Sequence, residues 1–221
     1  MAEISGDLKS KTDAFHHHGA NCLRKGRFEE ARRLLFSAYD CATKLGSPWF
    51  SAVSQIHIGE ICIEYGEYRE AKDHMETAVS LLEWSGPGSG RLHCCKIGFA
   101  KAKVMNGEKD IELESLYALA FEQKLRVLKG ETRRLIAEIL LNIDDQHLPE
   151  AEDWIKKAIE VDDENGMRWD LGQDYAVCSE LFNRKGDLSK AREMITKAID
   201  IMKECGADGW AQKYEEELAR L

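Results

Sequence analysis

Three consecutive histidines, His16, His17 and His18, invite a metal-binding reading. Consecutive helical side chains point about 100° apart, so three in a row do not converge on one ion. His93-Cys94-Cys95 also carries zinc-ligand types, but it lacks a second spaced pair such as CxxC. The carboxylate runs Asp144-Asp145 and Glu215-Glu216-Glu217 read as solvated helix ends rather than acid–base pairs. The stretch SGPGSG at residues 85–90 looks like a phosphate loop only superficially. No strand pattern precedes it and no lysine closes it, so it reads as a turn between helices. GxxxxGK(S/T), HExxH, GxSxG and GxGxxG do not occur. Trp49, Trp84, Trp154 and Trp169 lie near expected helix ends or among apolar positions, which points to packing rather than base stacking. The sequence therefore yields no catalytic residue, no cofactor and no metal ligand set.

Composition narrows the function class further. The chain has 221 residues, 32% of them charged, three prolines and a formal charge of −9. That balance opposes general nucleic-acid binding, because a phosphate backbone is repelled at long range. No apolar run approaches the roughly 18 residues of a membrane span, and the N-terminus has no apolar segment behind its charges. We expect a cytoplasmic protein with no membrane partner. The seven cysteines are odd in number and scattered, and read as small buried hydrophobes in a reducing compartment.

The elements that position all these residues show in an internal repeat. GRFEEA at residues 26–31 returns as GEYREA at residues 66–71, a spacing of forty. In that frame Ala31, Ala71, Ala151 and Ala191 share a register, with Ile111 in the third place. Seven residues later come Ala38, Ala78, Ala118, Ala158 and Ala198, each followed by a bulky residue. Gly46, Gly86, Gly166 and Gly206 also align, with Arg126 the exception. A spacing of seven is nearly two helical turns, so each pair of alanines shares a face where a neighbouring helix can come close. The glycine five residues before the first alanine ends the preceding helix. Ser47-Pro48 reads as a cap followed by a proline at the first helical position, and Pro149 plays a similar opening role.

The expected architecture is all-α: five helix–turn–helix repeats near 8–46, 47–86, 87–128, 129–166 and 167–206, forming one continuous right-handed solenoid. A capping helix follows over 207–221, with Trp210, Tyr214 and Leu218 facing the last pair. The second helices are expected near 28–45, 68–84, 109–128, 148–163 and 188–205. The third frame is irregular, with Gly107 one place late, Glu108 where an aromatic belongs and Ile111 for alanine. The fourth frame has Gln146 in place of glycine.

A small residue in the first helix (Gly19, Gly59, Ser179), then G-x-(aromatic or Leu)-x-x-A, then alanine seven later, resembles the tetratricopeptide repeat. The resemblance covers essentially the whole chain, although the usual repeat is about 34 residues. NIDDQHLPEAEDWIKKAIE, NGMRWDLGQDYAVCSELFNRKGDLSKA and KECGADGW are similar to helical-repeat regions that follow the ATPase and nucleotide-cyclase domains of bacterial regulators. No such catalytic domain is present in these residues.

The resemblance implies a concave groove lined by the first helix of each pair. Counting from the small-residue position, the lining would include Asp13 and His16, then Val53, Ile56, Glu60 and Ile63, then His93, Lys96 and Lys103. Arg133 and Ile136 would follow, then Gln173, Glu180 and Asn183. His93, Lys96, Lys103 and Arg133 would form a cationic cluster favouring an acidic or C-terminal carboxylate segment. Ile56, Ile63 and Ile136 would take apolar side chains. The lysine/asparagine carboxylate clamp of chaperone-binding members is not reproduced, so no chaperone partner is expected. The leading expectation is a non-enzymatic scaffold or regulatory sensor in signal transduction that binds a partner peptide or helix. A small-molecule-sensing or catalytic domain on the same scaffold, and a self-associating scaffold, are the alternatives.

Overall fold

A computed structural model of the chain describes residues 2–85 and 90–221 and contains no strand among them. The chain folds as two compact units, Met1–Gly107 and Glu108–Leu221. The division falls inside the segment read as the third repeat.

The first unit holds α1 (Ala2–Arg24), α2 (Phe28–Leu45), α3 (Pro48–Glu64), α4 (Tyr68–Ser85) and α5 (Gly90–Met105). Each helix packs on the next, and α1 also touches α3. In α2 the buried positions are Ala31, Leu35, Ala38 and Ala42, one stripe at spacings of four, three and four. By contrast α3 buries ten residues, because it has neighbours on three sides. The small residues sit at the helix crossings. A Cβ on Gly19 would stand 2.8 Å from Leu35, and one on Gly59 would stand 3.1 Å from Met75. The same methionine places its sulfur 3.7 Å from where a Cβ on Gly98 would lie. Between α3 and α4, Gly66 has φ 74°, and no atom lies within 4 Å of a Cβ placed there. Glycine is required there by conformation rather than by space. Its amide donates to Ile63 and that of Glu67 to Cys62, closing the helix.

The second unit begins with α6 (Leu113–Phe121) and a 3-10 turn at Arg126–Leu128, followed by α7 (Lys129–Ile143). A second 3-10 turn at Asp145–His147 leads into α8 (Leu148–Asn165), α9 (Arg168–Arg184), α10 (Leu188–Glu204) and α11 (Asp208–Leu218). From α7 onward each helix packs on the next, and α7 also meets α9. Ser179 replaces the glycine of the earlier crossings, and its buried hydroxyl donates to the Ala191 carbonyl at 2.8 Å. In α11, Trp210 and Tyr214 are buried while Leu218 is half-buried. Trp169 meets Trp210 edge-on at 6.0 Å between ring centres.

Eight of the aligned alanines, in frames one, two, four and five, are fully buried. The third frame departs from the expected pattern. Instead of a helix over 109–128, α6 spans only nine residues. The side-chain oxygen of buried Gln123 accepts the Leu125 amide at 3.0 Å, taking the backbone out of the helix. Leu116 and Ala120 become the buried positions of α6, and Ala118 is exposed. Two smaller differences concern caps and tryptophans. Ser47 precedes α3 as expected, but its hydroxyl makes no capping bond. Trp154 is buried as expected, whereas Trp84 is 79% exposed and Trp49 45%, so these two are not core residues. Gly86 and the tip of SGPGSG, residues 86–89, lie outside the described residues. Cys22, Cys62, Cys94, Cys95 and Cys178 are buried, Cys41 is half-buried, and Cys205 is exposed.

Candidate functional site

Within the first unit, two successive first helices bring rings together. His16 of α1 stacks on His57 of α3 at 5.6 Å and meets the edge of Phe50 at 5.5 Å. The His57 ring in turn lies 3.0 Å from a carboxylate oxygen of Glu60, one helical turn on. The His16 Nδ1 is buried without a hydrogen-bond partner. Burial, then the neighbouring His57, His17 and Arg91, pull the His16 pKa down to about 4, so the ring is neutral at pH 7. Burial pushes the Glu60 carboxyl up, but His57, Arg91 and Lys101 outweigh it and hold the group below its ordinary value. The accessible part of this face is Phe50, His57 and Glu60, with the buried His16 ring supporting them from behind.

The other expected lining residues are distributed differently. Ile56 is buried, and Ile136 is fully buried in the second unit, so neither presents an apolar surface to a partner. Ile63 is half-buried against the first unit's core. Val53 is buried and Asp13 is half-buried. On α5, His93 is half-buried with its Nδ1 unpartnered. Lys96 pairs with Glu83 of α4 at 2.7 Å, and Lys103 lies over the Phe99 ring at 5.8 Å. In the second unit Arg133 donates to the Lys129 carbonyl of its own helix at 2.7 Å. Gln173 is half-buried with an unpartnered Nε2, while Glu180 and Asn183 are exposed on α9.

A second polar assembly, not anticipated from the sequence, lies inside the second unit. Arg134 of α7 reaches Asp174 of α9 at 3.0 Å and Asp170 at 3.4 Å, and also donates to the Asp170 carbonyl at 3.2 Å. Asp162 of α8 is 1% exposed, and neither of its oxygens meets a hydrogen-bond donor. A Cβ on Gly130 would overlap that carboxylate, so only glycine leaves it room. Burial and the negative charges of Asp174 and Asp170 push Asp162 far above the ordinary aspartate range, against the pull of Arg134. Burial also raises Asp174, which Arg134 pulls back in part. Asp162 is thereby held protonated near neutrality, which leaves one guanidinium facing two carboxylates. The signal was present as Gly130 and Arg134, and Asp170 and Asp174, each four residues apart on a helical face.

No family model matches the sequence, and no curated protein matches it either. Among solved structures, putative kinesin light chain repeats from Podosopora anserina, described as nearly identical TPR-like repeats, align over 91% of this chain and 97% of theirs. Their identity is 16% and the TM-score 0.52. YrrB, described as a TPR protein with an unusual peptide-binding site, aligns over 90% of each chain at 22% identity and a TM-score of 0.41. The likeness to the kinesin light chain repeats establishes the fold of this chain as tetratricopeptide-like helix pairs.

Proposed function

We propose that this tetratricopeptide-like protein is a non-enzymatic interaction module that binds a peptide or helix of a partner protein along its first helices. The observation that carries the reading is the ring cluster of His16, Phe50 and His57 between α1 and α3, beside Glu60. Rings held by neighbouring helices form a rigid platform whose ordering cost is met on folding rather than on binding. A half-exposed polar group beside them gives orientation, as in other helical-repeat surfaces that recognise extended segments. Arg91 and Lys101 act on the Glu60 carboxylate, which favours a partner segment that carries carboxylates of its own.

The test is a displayed-peptide selection against the purified chain, with each enriched peptide measured again on variants. His57→Ala and Arg91→Glu should each weaken the selected peptides by about tenfold, the latter mainly for acidic ones. Failure to enrich any peptide, or peptides insensitive to both changes, would overturn the reading. A large thermal stabilisation by a metabolite in the same preparation would replace it with a small-molecule sensor.

A further inference from the structure

We propose that His18, Cys22 and Glu30 form a binding site for one divalent transition-metal ion, with Zn2+ the best fit. His18 and Cys22 are four residues apart on α1 and so share one face of the helix. Glu30 lies in the first turn of α2, which the joint at Lys25–Arg27 folds back against that face. One ligand atom from each residue lies within 4.8 Å of the other two, and His18 Nε2 stands 3.9 Å from Glu30 Oε1. Two ligand atoms bound at about 2.1 Å with tetrahedral angles stand roughly 3.4 Å apart. The trio therefore needs only small side-chain movements to close on an ion.

The chemistry of the set selects the ion. A thiolate, an imidazole and a carboxylate are zinc-type ligands, whereas Mg2+ and Ca2+ prefer oxygen alone. Thiolate and carboxylate together carry two negative charges, which a divalent ion neutralises. Arg27 approaches the other carboxylate oxygen, Oε2, at 3.9 Å, leaving Oε1 for the metal. Cys22 is 2% exposed and closes the inner side of the site, while the His18 side chain is 59% exposed and leaves a fourth position to water. A thiol becomes a ligand only by losing its proton, so binding releases a proton and the affinity rises with pH. Only His18 of the three consecutive histidines belongs to the site; its partners are one helical turn and one helix away. A bound ion would tie α1 to α2 across their joint.

The full chain, stripped of metal with a chelator, is titrated with Co2+ as a coloured stand-in for Zn2+. One equivalent should bind with a thiolate-to-cobalt charge-transfer band that Zn2+ then abolishes. His18→Ala, at an exposed position that leaves helix content unchanged, should weaken Co2+ binding by about a hundredfold. Cys22→Ser should remove the band, and Cys205→Ser, which changes an exposed thiol elsewhere, should keep it. Absence of the band from the parent, its persistence in His18→Ala, or its loss in Cys205→Ser would overturn the proposal.

Discussion

Asp162 is a buried carboxyl set beside two other aspartates, and it remains uncharged by keeping its proton. The groups that face it are Arg133 and Arg134 from α7 and Asp170 and Asp174 from α9. Its folded pKa is raised, so its favourable contribution is complete below the ordinary aspartate range and is lost as pH rises through the raised value. The parent should lose on the order of 4 kcal/mol between about pH 5 and about pH 8 through this group, since its folded value is raised to about 8. Asp162→Asn should flatten that slope in urea titrations, because an amide keeps the shape without the proton. His16 acts in the opposite direction. Its pKa is lowered to about 4, so its contribution is present above the ordinary histidine value and is lost as pH falls toward 4. Gly130→Ala should cost about 2–4 kcal/mol by urea denaturation, since the added carbon displaces a buried carboxyl. Little of this was legible in advance. Aspartates four apart on a helix look the same whether they face water or a buried guanidinium, and only the partner helix decides.

Helices were legible wherever small residues repeat, because an alanine or glycine at a crossing has a steric cause that acts within one pair. Ala78 is buried where α4 meets its neighbours, and Ala118 occupies the same register but is exposed. Ala78→Leu should therefore destabilise by about 1–3 kcal/mol, while Ala118→Leu should stay within about 0.5 kcal/mol in the same assay. Equal effects would mean that α6 packs as the other second helices do. The shortened α6 was hidden because its cause is one side chain, Gln123, competing for a backbone amide. Such competition depends on burial that periodicity does not report. The ring cluster near Glu60 was half legible: His16 and Glu60 were expected on the first helices, but Phe50 and His57 were missed. Side-chain stacking between helices has no signature within one frame.

At the scale of the whole chain, the division between units falls at Gly107, where the forty-residue pattern also loses its aromatic and its alanine. Each unit contains its own internal packing, and the core running from Cys22 through Leu35, Ile58, Met75 and Leu92 to Ala102 belongs entirely to the first. A protein of residues 1–107 should accordingly be helical by circular dichroism and unfold in one cooperative urea transition. A non-cooperative melt would show that its core is insufficient alone. Within that unit Met75 touches the crossings at both Gly59 and Gly98. A single thioether thus fastens α4 to two neighbours, and peroxide would turn it into a bulkier, polar sulfoxide in a space that admits neither change. Met75 is only 3% exposed, so that oxidation waits on an opening of the unit, and once made it would keep three helices from closing again.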